Sequence, residues 1–165
     1  MGENLYTATI PPEMLTRGFW LYVWVIRMRG DRVVHYVGRT GDSSSGYAQS
    51  PFGRISGHLG SNIHSNALRR NLQARGIEFD QCVGLEVVAH GPLYEETANI
   101  AEHKVPRDKT HALERDLCNA MREAEYEVLN VVSCKMPNNL EDWQTVRDTF
   151  ARRFERLALP PQRQI

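Results

Sequence analysis

Apolar and polar residues change their period several times along this chain, and each change marks an element. From Phe19 to Met28 both phases are apolar and rich in aromatic and β-branched residues, the pattern of a strand covered on both faces and central in its sheet. Arg29-Gly30-Asp31 interrupts that run, and a Val-rich stretch from Arg32 to Gly38 resumes it, so the two read as a hairpin. Residues 1 to 16 show no clean period and contain Pro11-Pro12, which suggests an arm that packs on the domain or stays loose. Gly41 to Pro51 is a polar loop without a period. Helical spacing follows. Phe52, Ile55 and Leu59 share one stripe; after Gly60-Ser61-Asn62, Ile63, Ala67, Leu68 and Leu72 share another that ends before Gly76. Gln81 to Ala89 alternates as a third strand, with Val83, Leu85 and Val87 on one side.

Pro92 and Pro106 bracket a predicted helix over Leu93 to Lys104. The next runs over Lys109 to Glu125, with Leu113, Leu117, Ala120 and Ala124 as its stripe and Met121 beside them. Asn138 or Asn139 caps a final helix lined by Trp143, Val146, Phe150 and Leu157. No internal repeat or low-complexity tract interrupts this order. The expectation is one α+β domain: a small three-stranded, mainly antiparallel sheet flanked by helices, with an added C-terminal helix. Residues 1–16 form the arm, 17–135 the domain, and 136–165 the C-terminal helix that packs on it or extends it.

Composition narrows the class. Of 165 residues, 41% are hydrophobic and 24% charged, which excludes wholesale disorder. The longest uncharged apolar run, Gly18 to Ile26, falls far short of the ~20 residues that a membrane helix needs. No membrane partner is therefore expected. Nothing near the N-terminus reads as a secretory signal, so the cytoplasm is the expected compartment. Cys82, Cys118 and Cys134 have no paired spacing, which argues for buried free thiols over disulfides or a cysteine zinc site. Net charge is zero, from 20 basic and 20 acidic residues, yet the signs are segregated. Ser43 to Ile77 carries no acid while Arg54, Arg69, Arg70 and Arg75 stand there with His58 and His64; Glu78 to Glu96 carries acids and no Lys or Arg. That asymmetry predicts a basic face suited to a nucleic acid.

Several side chains could carry chemistry. If Met28-Arg29-Gly30 is a three-residue hairpin loop, Arg27 pairs with Asp31 and Tyr22 stands directly opposite Tyr36 on one sheet face; a two-residue Gly30-Asp31 loop would put them on opposite faces. An aromatic pair filling the core is the simpler role for them. Arg54 and His58 lie four apart, hence on one helix face, where one could clamp a phosphate and the other handle a proton. Glu114 borders the stripe of Leu117, Cys118 and Met121, so its carboxylate needs a partner, either a basic group or a hard cation such as Mg2+, although a solvated carboxylate is the commoner role at a helix edge. Asn130 ends Val128-Leu129-Asn130 and would orient a turn or a catalytic neighbour through its amide. Gly-rich phosphate loops, Gly-x-Ser-x-Gly and His-Glu-x-x-His are all missing, which leaves nucleotide cofactors, serine hydrolysis and zinc proteolysis without support.

In order along the chain, these residues resemble the GIY-YIG nucleases. Leu21-Tyr22-Val23 stands at the first triplet and Tyr36-Val37-Gly38 at the second. Phe52 to Leu59 looks like the following helix with its Arg54 and His58; Ala112-Leu113-Glu114 and Val128-Leu129-Asn130 look like the metal-binding Glu and the late Asn. Leu21 replaces the first Gly, Val replaces Ile in both triplets, and the loop from Gly41 to Pro51 is longer than in compact members. The resemblance implies a GIY-YIG-like fold and Mg2+-dependent hydrolysis of phosphodiester bonds in DNA, with a single ion that Mn2+ could replace. It implies Tyr22 taking a proton from water, Tyr36 positioning that water or the phosphate, Arg54 stabilising phosphate charge, His58 supporting Tyr22, and Glu114 holding the metal. Arg39, Arg69 and Arg70 would contact backbone phosphates. Arg147, Arg152, Arg153 and Arg156 read as a solvated face complementing the last helix's dipole, with added DNA affinity or a homodimer contact as alternatives. The competing reading of the whole is a catalytically silent module on the same fold that binds nucleic acid or protein.

Overall fold

The computed structural model describes residues 5–41, 47–60 and 66–158. Its sheet has three strands, β1 (Phe19–Met28), β2 (Val33–Arg39) and β3 (Cys82–Tyr94), in the order β2-β1-β3 with both pairings antiparallel. The doubly apolar run is thus the central strand, as its two apolar phases predict. Four helices surround it: α1 (Pro51–Leu59), α2 (Ala67–Gln73), α3 (Ile100–Glu123) and α4 (Leu140–Ala151). The result is an α+β domain.

Strand alternation sends neighbouring residues of β1 into two separate cores. Leu21, Val23 and Val25 pack with Val37 against Leu113, Leu117 and Met121 of α3 and Val146 and Phe150 of α4. Tyr22, Trp24 and Ile26 pack with Tyr36 against Ile55 of α1 and Leu68 and Leu72 of α2. The sheet therefore needs both helix layers, and the C-terminal helix shares the core of the first layer. Asn139 caps α4 by accepting from Glu141 N–H, and Leu157 lies in a 3-10 turn beyond that helix, packed into the same core.

The hairpin register differs from the expectation. Arg27 pairs with Val33, not Asp31, and the Met28 N–H donates to Arg32 C=O, so the loop is Arg29-Gly30-Asp31. Gly30 and Asp31 both take positive φ, which this three-residue loop requires. Tyr22 consequently faces Gly38 and Tyr36 faces Trp24. Because the register moves by an even step, the two phenols still share a face, as diagonal neighbours.

Pro92 and Pro106 do not bracket a helix. Pairing of Phe19 with Tyr94 carries β3 past Ala89 through Pro92 and Leu93, and a proline is tolerated there because β3 is an edge strand. Helix α3 begins only after Asn99, whose side chain accepts from Glu102 N–H, and it runs unbroken past Pro106 in place of the two expected helices. Other departures are smaller. Phe52 and Leu59 are exposed and Ile55 alone of that stripe is buried, while Val83 and Leu85 lie exposed near the edge of the sheet. Cys118 is buried as expected, but Cys82 and Cys134 are only half-buried. Ile63, His64 and the loop centre at 42–46 lie outside the described residues. No described helix is long and apolar enough to cross a membrane.

Candidate active site

Two sheet residues and one short helix build the centre of the site. Ser50 starts α1 by accepting from Gly53 N–H, with Pro51 at the first helical position, so Arg54 and His58 follow one turn apart beside the buried Ile55. On the strand side, Tyr22 lies across Gly38: a Cβ added there would stand 2.5 Å from the ring carbon that bears the hydroxyl. Gly38 therefore makes the space in which Tyr22 lies, and its hydroxyl meets His58 Nε2 at 2.9 Å. The imidazole sits 5.4 Å from the Tyr36 ring and 5.8 Å from the Tyr22 ring, centroid to centroid. All three side chains are almost sealed from solvent, at 1% (Tyr22), 8% (Tyr36) and 4% (His58) exposed.

Burial sets the protonation states. It drives the Tyr22 phenol far above the usual range, with Tyr36 and Glu114 adding to the shift and Arg54 opposing it from hydrogen-bonding reach. Tyr36 is pushed up to about 12, by burial first and then by the charge of Glu114. His58 falls to about 4 through burial and the charge of Arg54. At neutral pH the phenol is protonated and the imidazole neutral, and in the tautomer with its proton on Nδ1 the imidazole accepts from Tyr22 at Nε2. Nδ1 has no hydrogen-bond partner among the described residues.

A stability prediction follows from His58. Its unfolded pKa is near 6.5 and its folded value about 4, so below pH ~6.5 the unfolded chain binds the extra proton. The stabilisation is complete above that pH and should be lost as pH falls toward 4, by roughly 3 kcal/mol at most. His35 and His90 are shifted down by burial as well, so the wild type and His58→Gln should be compared. Urea titrations from pH 7.5 to 4.5 should show a smaller acid-side loss in His58→Gln.

Glu114 stands on α3. Its charge acts on both phenols, while its Oε2 accepts from Arg39 Nε at 3.0 Å. Arg39 directly follows Gly38, and its guanidinium also donates to Gly41 C=O. Among the described residues no group of three or more His, Cys, Asp or Glu converges in a way that could hold a metal ion. Glu114 offers a single carboxylate, so a hard cation there would have one protein ligand and complete its shell with water.

The Asn130 side chain bonds to the backbone of β2. Its Oδ1 accepts from Val37 N–H at 3.1 Å and its Nδ2 donates to Val37 C=O at 2.8 Å. With the parallel bridge between His35 and Val128, it completes the outer edge of β2 where Tyr36 and Gly38 project. It is a positioning residue. Asn130→Ala should leave both Val37 groups unpaired and cost about 1–3 kcal/mol, read as a Tm lower by about 2–4 °C per kcal/mol.

No family model, curated protein or solved structure matches the chain. The site thus rests on its own geometry. Of the basic residues expected at a nucleic acid, Arg70 is exposed and its charge reaches Tyr36, which puts it at the rim. Arg69 instead spans the α1–α2 connection, donating to Gly60 C=O at 2.6 Å with its guanidinium 4.1 Å from the Phe79 ring centroid. Arg147 and Arg156 donate to the carbonyls of Leu157 and Glu125, and Arg153 pairs with Glu86.

Sequence reasoning overlooked Asn66. This buried amide donates to the carbonyls of His58 and Gly60 and accepts from Arg69 N–H, ending α1 and starting α2 with one side chain. An Asn immediately before the Ala67-Leu68 stripe was the available signal.

Proposed function

We propose that this protein is a Mg2+-dependent endonuclease that hydrolyses phosphodiester bonds in DNA through a GIY-YIG-type site. The observation that carries the reading is the buried contact of the Tyr22 hydroxyl with His58 Nε2, with Arg54 in hydrogen-bonding reach of that phenol and Tyr36 alongside; the charge of Glu114 is felt at both phenols. A phenol with so high a pKa is a poor base by itself. With the imidazole pKa held at about 4 by burial and Arg54, the relay through His58 becomes favourable only as the phosphate offsets the Arg54 charge: Tyr22 Oη then accepts a proton from the attacking water as its own proton passes to Nε2. Tyr36 orients the water or the phosphate, and Arg54 stabilises charge growing on the phosphate oxygens as the bond to the 3′ oxygen breaks. Glu114 would hold a divalent cation, which supplies positive charge at the leaving oxygen.

Nicking of supercoiled plasmid tests this. Wild type with Mg2+ should nick, and Arg54→Ala should do so about 10²–10³-fold more slowly. Glu114→Ala should lose most of the Mg2+-dependent rate. Equal nicking by all three proteins would remove the assignment. The silent-module reading draws on the Arg39–Glu114 pair, which occupies a carboxylate oxygen in the proposed metal position. DNA binding by the wild type without nicking at any Mg2+ concentration would decide for it.

A further inference from the structure

The Arg39–Glu114 ion pair lies on the wall of the site and is largely withdrawn from water, with each side chain 13% exposed. The phenols and imidazole nearby also feel positive charge, from Arg54 and, at Tyr36, from Arg70. A divalent cation that takes the Glu114 oxygen now bonded to Arg39 must displace the guanidinium from Oε2. Stranding a poorly hydrated guanidinium is expensive unless another anion receives it. A phosphate diester is such an anion, and Arg binds its oxygens in a fork geometry.

We propose, on the endonuclease reading above, that Arg39 exchanges partners: it holds Glu114 in the free protein and a backbone phosphate in the complex. The cation and the DNA then relieve each other's cost, since one frees Arg39 and the other accommodates it. Each must raise the affinity of the other by the same factor, because binding linkage is reciprocal. Arg39 is on this account a positioning residue that makes the metal site competent when substrate is present.

The test uses the full chain carrying Tyr22→Phe, so that DNA stays intact. Mg2+ is titrated calorimetrically with and without a short duplex, and duplex affinity is read by fluorescence anisotropy with and without Mg2+. The expected factor is about 5–150-fold in both directions. Adding Arg39→Gln should tighten Mg2+ binding in the absence of DNA and collapse the factor toward one. Arg39→Lys, which keeps a point charge against Glu114, should retain part of it. An undiminished factor in Arg39→Gln, or Mg2+ affinity unmoved by that substitution, overturns the exchange. If Mg2+ and duplex bind independently, the exchange alone falls; if neither binds, the endonuclease reading falls with it.

Discussion

Tyr22→Phe should nick plasmid about 10²–10⁴-fold more slowly than the wild type, the range expected when a positioned proton-transfer group is lost. The change removes one oxygen and leaves the ring lying across Gly38. Packing on that face is therefore kept, and duplex affinity should stay within a small factor, so the loss belongs to the chemical step. Some stability goes too, because His58 Nε2 loses its 2.9 Å partner inside a sealed site; about 1–2 kcal/mol is expected. A Tyr22→Phe protein as fast as the wild type would show that the buried hydroxyl has no part in the reaction. Tyr36→Phe gives the contrast. The Tyr36 ring lies beside His58, and the proposed mechanism gives it an orienting and not a transferring part, so the smaller rate loss is expected there.

Gly38→Ala should damage stability and the site together. The new methyl would stand 2.5 Å from the end of the Tyr22 ring, nearer than side-chain carbons approach one another, and neither side can yield easily. The Val37 backbone is clamped by Asn130, and Tyr22 is sealed beneath His58 and the α1 side of the core. Overpacking of this kind costs about 1–3 kcal/mol, and the ring can escape only by withdrawing its hydroxyl from Nε2. Thermal melts and nicking assays should therefore fail together. Gly84→Ala is the control: its methyl would meet Arg27 side-chain atoms at 3.9 Å, an ordinary contact, and should change stability by less than about 1 kcal/mol. If the two variants melted alike, the close approach at Gly38 would be refuted.

The elements most readable in the sequence were those whose pattern has one cause. Phe19–Met28 is apolar at both phases because helices cover both faces of the sheet. The shared face of Tyr22 and Tyr36 was one of two alternatives, since a three-residue loop gives it and a two-residue loop does not, and the structure has the three-residue loop. Their actual pairing was not readable. The loop Arg29-Gly30-Asp31 and its neighbour Met28-Arg29-Gly30 differ by one residue, and both contain Gly30. Pro92 and Pro106 misled for a related reason: proline's local preference for helix boundaries yields where an edge strand or a long helix has tertiary support. The Arg39–Glu114 pair joins residues 75 positions apart, so periodicity carries no trace of it. Glu114 was rightly expected to need a partner at the border of its stripe, but which partner it takes is set by the end of β2.

The parts of the site have unequal foundations. Tyr22 rides on the central strand, bonded to neighbours on both sides and buried beneath helices on each face. Arg54 and His58 ride on a nine-residue helix held chiefly by Ile55, the Tyr22 bond and the Asn66 cap. Local opening of that helix should need far less free energy than melting the sheet. Heat inactivation is then a separate event from denaturation: activity should fade over a range in which the far-ultraviolet circular dichroism of the chain is still intact, and return promptly on cooling.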